Sequence, residues 1–256
     1  CIRDRACPPG KTGGYALPDG TIGIDPKAFM ECSGLTNISL PEGLLYIDDL
    51  AFRYCTSITD IHIPPSVTSI GAFALGGCSS LTNIIIPEGI SSLPSGLFSE
   101  CSNLVQIKIP SSISSIGEHV FSHCPNLLSV LFLGDIPWIE DSYFEPGETI
   151  FEFSDKVSVF YTLPNYTWGD IFGLRPTEPW NPHLSVVPIN SHIGAELFTL
   201  SITGITNMPV AIEACSAIND PDWIPLSHFL LKSGTNDFID QQSTNYLSRF
   251  YRVTIP

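Results

Sequence analysis

The sequence predicts a mostly β protein: a right-handed solenoid closed by a C-terminal cap and followed by a small β-sandwich domain. Three observations predict it. Cysteines recur every 23 residues through the first half, each is followed by a short apolar alternation, and the last third breaks into brief apolar runs separated by turn residues.

The repeat comes first, because a missed period misassigns a whole fold. Cys32, Cys55, Cys78, Cys101 and Cys124 share one column; Leu35, Ile58, Leu81, Leu104 and Leu127 another; Ile38, Ile61, Ile84, Ile107 and Val130 a third. Leu40, Ile63, Ile86, Ile109 and Phe132 follow two residues later. Pro18, Pro41, Pro64, Pro87 and Pro110 keep the same spacing, as do Ile24, Ile47, Ile70, Leu93 and Ile116, and Phe29, Phe52, Leu75, Phe98 and Phe121.

Each column has a physical reason. Ile61 and Ile63 alternate around His62, so they share one face of a short strand while His62 points away. The following proline cannot extend a hydrogen-bonded ladder and turns the chain. The Phe and Cys, three apart, fit a single helical or 3₁₀ turn on the opposite side. One such coil cannot bury its own apolar face, whereas stacked coils share a continuous core.

The run Ile47-x-x-x-x-Phe52-x-x-Cys55-x-x-Ile58-x-x-Ile61-x-Ile63-Pro64 resembles the BspA-type leucine-rich repeat, over residues 18–133. Leu75 departs from the family's phenylalanine, which concerns packing and not function. The resemblance implies a secreted or surface-displayed bacterial protein, hence an extracellular or cell-surface location, and contacts made through adhesion.

The domains follow from where the period holds. Residues 1–17 read as an N-terminal tail, and the opening Cys1-Ile2-Arg3-Asp4-Arg5 reads as non-native, so a leader and earlier repeats are expected upstream. After Phe132 the period lapses, with Gly134 in place of proline and no cysteine at 147. Residues 134–182 are expected to cap the apolar end of the coil. There Val157, Val159 and Tyr161 suggest one more strand, and Trp138, Phe151, Trp168, Phe172 and Trp180 supply bulk. The stretches from Tyr161 to Gly169 and from Phe172 to Pro176 resemble the cap that follows such repeats in environmental bacterial proteins.

Residues 183–256 are read as the β-sandwich, with strands expected at 197–202, 210–214, 223–226, 229–231, 238–240 and 250–255. This part resembles a C-terminal β-domain of large secreted bacterial proteins, a resemblance that implies no activity.

The charge excludes some partners. The chain carries 26 acidic against 11 basic residues, a net charge of −15, so phosphate backbones and anionic lipid would be repelled. No apolar run approaches the roughly 20 residues that span a bilayer, so no direct membrane insertion is expected.

Candidate chemical sites are weaker than their structural readings. The eight cysteines suggest a disulfide framework only until their spacing is noticed: Cys32 to Cys124 form a reduced core ladder, in which a small weakly donating thiol packs on neighbouring coils. A linear column cannot converge tetrahedrally on zinc. Cys215 is a strand residue, and Cys1 and Cys7 are candidates for a bridge. His119 and His123, four apart, have the spacing of a two-histidine metal pair on a helical turn, but they flank Phe121 in the variable part of a repeat. Asp135, Glu140, Asp141, Glu145, Glu148, Glu152 and Asp155 could offer hard oxygens to calcium, yet no loop register accompanies them, and a solvated acidic face is the simpler reading. No catalytic motif, no cofactor and no metal site are therefore assigned, and an enzyme is not expected.

What remains is the outward face of the strands. Ser39, His62, Ile85, Lys108 and Leu131 form one ladder, and Asn37, Asp60, Asn83, Gln106 and Ser129 a second. Extended repeat surfaces of this kind bind partners. The expected function is a non-enzymatic scaffold that contacts protein or glycan through Asn37, Ser39, Asp60, His62, Asn83, Ile85, Gln106 and Lys108. The rival is a structural spacer carrying a domain outside this sequence.

Overall fold

The computed structural model describes residues 2–4, 12–140, 149–164, 167–187, 198–217, 222–233, 235–245 and 249–256. The chain divides into two compact units, Cys1–Pro179 and Trp180–Pro256. The described residues are almost entirely strands and turns, with one 3₁₀ turn at Ser243–Asn245.

The first unit is a solenoid of about six turns. One side is a seven-stranded sheet, parallel but for its edge strand Ile171–Phe172, that includes Asp60–His62, Asn83–Ile85, Gln106–Ile109, Ser129–Phe132 and Ser158–Tyr161. Inward-pointing Ile61, Ile84, Ile107, Val130 and Val159 are buried, as alternation requires. After each strand the proline column opens a tight turn, in which the amide three residues on bonds back to the carbonyl of Pro41, Pro64, Pro87 or Pro110. A second side carries shorter parallel strands, Ile2–Asp4, Thr21–Ile24, Tyr46–Ile47 and Ser69–Ile70 in one set and Ser92–Leu93, Ser115–Gly117 and Trp138–Glu140 in another.

The third side differs from the expected helical turn. Its backbone takes a left-handed conformation twice per coil, at Lys27, Leu50, Phe73, Gly96 and His119, and again four residues later at Glu31, Tyr54, Gly77, Glu100 and His123. Alternate amides serve two purposes. Those of Leu50, Phe52 and Tyr54 donate to Ala72, Ala74 and Gly76 in the next coil, while those of Ala51, Arg53 and Cys55 donate back within their own turn. Stacked β-turns thus satisfy every second amide between coils, which a helix would have spent internally.

The thiol ladder closes the core. Cys55, Cys78, Cys101 and Cys124 are free and buried, and their Sγ atoms donate to the carbonyls of Phe29, Phe52, Leu75 and Phe98 in the preceding coil at 3.0, 3.3, 3.3 and 3.2 Å. Burial pushes the Cys55 and Cys124 thiols up to about 12, and holds Cys78 and Cys101 well above the ordinary thiol range. Cys32 corrects the expected ladder: it is disulfide-bonded. Cys32 is only partly buried, unlike the later cysteines. Cys1 and Cys7 lie outside the described residues, and Cys215 is a buried strand residue.

Both boundaries of the coil move outward. Residues 12–17 are not a tail, because Gly13–Ala16 pairs in parallel with Leu35–Ser39 and Leu17 is buried in the Leu40 column. At the other end the period does not stop at Phe132. Phe151 stacks on Phe121 at 5.7 Å, Ser154 stands in the cysteine column, and Ser158–Tyr161 pairs in register with Ser129–Phe132. A sixth coil is present, with about seven extra residues inserted before Phe151. Beyond it Trp168 and Phe172 cover Phe132 at ring distances of 4.9 and 5.2 Å, and Arg175–Pro179 adds a last strand. Trp180, expected in the cap, belongs to the second unit, where its indole donates to Pro209 O.

The second unit holds two three-stranded antiparallel sheets, one of His183–Val187, Phe198–Thr203 and Thr235–Asp240, the other of Ile224–Leu230, Pro209–Cys215 and Phe250–Thr254. Leu200 and Ile202 from the first and Val210, Ile212 and Ala214 from the second are buried. His183–Val187 was not expected as a strand, and the two runs expected at 223–226 and 229–231 are one strand. The register skips Leu226 there, a bulge beside Pro225, which has no amide to contribute.

Candidate binding face

Register brings six of the eight nominated residues into one block. Asp60 pairs with Asn83, His62 with Ile85, and Ile85 with Lys108; Gln106 lies one strand further on, opposite Ser129. Asp60, His62, Asn83, Ile85 and Lys108 are exposed and Gln106 is half-buried. Asn37 and Ser39 are also exposed, but their strand pairs with Gly13–Ala16 in a separate two-stranded sheet. Ile85 is 63% exposed at the centre of the block, flanked by His62 and Lys108.

Two members of the outward ladders are not surface. Leu131 is 1% exposed and Ser129 is buried. Leu131 stands in register beside Phe160, itself buried, so the column turns apolar at the fifth and sixth coils and leaves the solvent face.

The histidine pair is not on a helical turn. His119 and His123 both have positive φ, which removes the side-by-side geometry that a four-residue spacing gives a helix. His119 Nδ1 lies 3.2 Å from Glu152 Oε2, and the His123 ring packs on Phe153 at 4.5 Å. The acidic residues also separate. Asp155 pairs with Arg175 at 3.0 Å, Asp135 accepts from Thr167 at 3.4 Å, Glu140 is exposed, and Asp141, Glu145 and Glu148 lie outside the described residues. Among the described residues no three His, Cys, Asp or Glu side chains converge as a metal site, and no helix is long and apolar enough to cross a membrane.

The coil interior is packed mainly with Phe, Leu, Ile and Cys. One outward row escaped the reading from sequence, although it has the same 23-residue period: Gly23, Tyr46, Ser69, Ser92, Ser115 and Trp138 on the second side. An exposed tryptophan in phase with a tyrosine was the signal that could have found it.

A family model described as the BspA type leucine-rich repeat region matches residues 22–150 in six copies. The chain belongs to this family. No curated protein matches the chain. Among solved structures, it is similar to the leucine-rich repeat protein of T. pallidum, with 28% identity over 50% of this chain and 72% of that one, at a TM-score of 0.42. It is similar also to a leucine-rich repeat protein from Eubacterium ventriosum, with 31% identity over 49% of this chain and 34% of that one, at a TM-score of 0.44. A leucine rich cell surface protein from Faecalibacterium prausnitzii is 23% identical over 59% of this chain and 54% of that one, at a TM-score of 0.36.

Proposed function

We propose that this BspA-type repeat protein is a non-enzymatic, surface-displayed scaffold that holds protein or glycan partners on the strand face of its coil. The observation that carries the reading is Ile85, a large apolar side chain 63% exposed between His62 and Lys108 on a register-matched sheet. Three neighbouring strands, about 4.8 Å apart, there offer an apolar centre with Asp60, Asn83 and Gln106 beside it. An apolar centre with polar surroundings is the arrangement that gives protein interfaces their affinity. The stacked Phe, Leu, Ile and Cys columns fill the interior, which favours an extended partner over a small molecule.

The test replaces His62, Ile85 and Lys108 together by serine and compares binding to panels of matrix proteins and glycans with the parent. Loss of binding in the variant, at unchanged melting, supports the strand face. Equal binding by both, with loss on changing exposed residues of 198–256, moves the site to the second unit.

A further inference from the structure

We propose that the second side of the coil is a separate docking trough for an extended basic peptide, anchored at its two ends by Tyr46 with Asp48 and by Trp138 with Glu140. Two outward columns run along this side. The first reads Gly23, Tyr46, Ser69, Ser92, Ser115, Trp138, and the second, two residues later on each strand, reads Asp25, Asp48, Gly71, Pro94, Gly117, Glu140. Register places Tyr46 beside Ser69, and Ser92 beside Ser115 and then Trp138. An aromatic ring therefore coincides with a carboxylate at both ends, while the three coils between carry only serine, glycine and proline.

The two ends are built differently. Tyr46 is half-buried, its ring lying so close over Gly23 that a Cβ there would sit 2.0 Å from the ring. Beside it opens a depression of about 660 Å³ lined by Asp25, Tyr46, Asp48, Ser69 and Gly71. Trp138 is 75% exposed, and alternation puts Glu140 on the same face of its strand. Gly71 and Gly117 keep the floor low, because the preceding coil passes too close for a side chain: a Cβ would meet Asp49 N at 2.3 Å and Ser95 N at 2.6 Å.

The occupant follows from charge. A carboxylate next to an aromatic face attracts an ammonium or guanidinium twice over, through the ion pair and the ring quadrupole. Asp25, Asp48, Asp49, Glu118 and Glu140 stand on this side against Lys27 at its corner and Arg3, which pairs with Gly23, on a chain of net charge −15. Tyr46 and Trp138 are four coils apart, about 19 Å at ~4.8 Å per strand, which about six extended residues would bridge. The partner is thus an extended segment with two basic side chains about six residues apart, crossing a hydroxyl-lined floor.

The experiment measures fluorescence anisotropy of a labelled peptide Lys-Ser-Gly-Ser-Gly-Ser-Lys with the full chain, at low and high salt. The peptide with glutamate for both lysines and the neutral sugar cellohexaose serve as controls. The lysine peptide should bind, more weakly at high salt, with the glutamate peptide silent and cellohexaose failing to compete. W138S/E140S should weaken binding about tenfold, and S115K, which removes no anchor but places a like charge on the floor, should weaken it too. H62S/I85S/K108S, on the strand face, should bind the peptide as the parent does, so the two faces fail or succeed separately. No binding of the lysine peptide, displacement by cellohexaose, or undiminished binding by folded W138S/E140S and S115K would overturn the proposal.

Discussion

Ser154 holds the preceding coil at two points: its Oγ accepts the Cys124 amide at 2.8 Å and donates to Phe121 O at 2.6 Å. In earlier coils the cysteine amide bonds back to its own phenylalanine column, as Cys55 N does to Phe52 O. The insertion before the sixth coil releases that bond, and a hydroxyl, a stronger hydrogen-bonding group than a thiol, bridges the gap. Ser154→Ala should therefore cost about 1–3 kcal/mol, because it strands a buried amide and a buried carbonyl. The urea midpoint is the readout, and an unchanged midpoint would show that the sixth coil is not held this way.

The thiols predict a one-sided pH dependence. Unfolded cysteine titrates near about 8.5, whereas burial raises Cys55 and Cys124 to about 12, with Cys78 and Cys101 raised as well. The folded state thus disfavours thiolate. Its advantage is complete below about pH 8.5 and is lost as the pH climbs from there through the folded values. Unfolding midpoints should hold steady just below that point and fall above it, and iodoacetamide should label these four only after denaturation. Mass spectrometry without reductant should find Cys32 linked and Cys55, Cys78, Cys101 and Cys124 unlinked.

Phe73 and Gly96 form a ring-on-glycine pair one coil apart. A Cβ at Gly96 would lie 2.1 Å from the Phe73 ring, and Gly96 has a φ of +64°. Gly96→Ala should cost more than the ~1–2 kcal/mol of left-handed strain alone. The same change made on Phe73→Ala should cost less, since the collision is gone and only the strain remains. Equal costs in both backgrounds would contradict the packing.

Trp168 closes the coil. Its indole donates to Gly134 O at 3.1 Å while its ring touches Phe132, Tyr161 and Phe172. Trp168→Ala should lower stability by about 3–5 kcal/mol and expose the end of the sixth coil to self-association. Light scattering and thermal melting check both effects, and a monomer with the parent's melting point would show that the segment does not cap.

The columns that could be read in the sequence are those whose residue type is forced by burial: Phe52, Cys55, Ile58 and Ile61 all stand where the period put them. Three kinds of feature were not legible. The left-handed positions at Tyr54 and His123 are paid for by hydrogen bonds to the next coil, which no single repeat displays. The sixth coil is hidden because position 147 of the cysteine column is glycine, and Phe151-x-x-Ser154 carries the pattern in a changed register with a hydroxyl for the thiol. Leu131 was placed outside by alternation alone, which cannot tell that its neighbour in register is Phe160. For the candidate face, alternation did place Asp60, His62, Asn83, Ile85 and Lys108 in solvent. The row ending at Trp138 was missed because its strands are only two or three residues long, too short to show a period of two.

Hydroxyl-radical footprinting of the full chain shows whether partners are held on the outward strand face. The chain is labelled alone and with whichever matrix protein or glycan it binds, and side-chain oxidation is mapped by mass spectrometry. Ile85, at 63% exposure, and its register partner His62 should lose reactivity on binding, while Ile224 and Ile239 in the second unit, 50% and 46% exposed, should be unchanged. Protection at Ile224 and Ile239 with Ile85 and His62 still fully oxidised would contradict it.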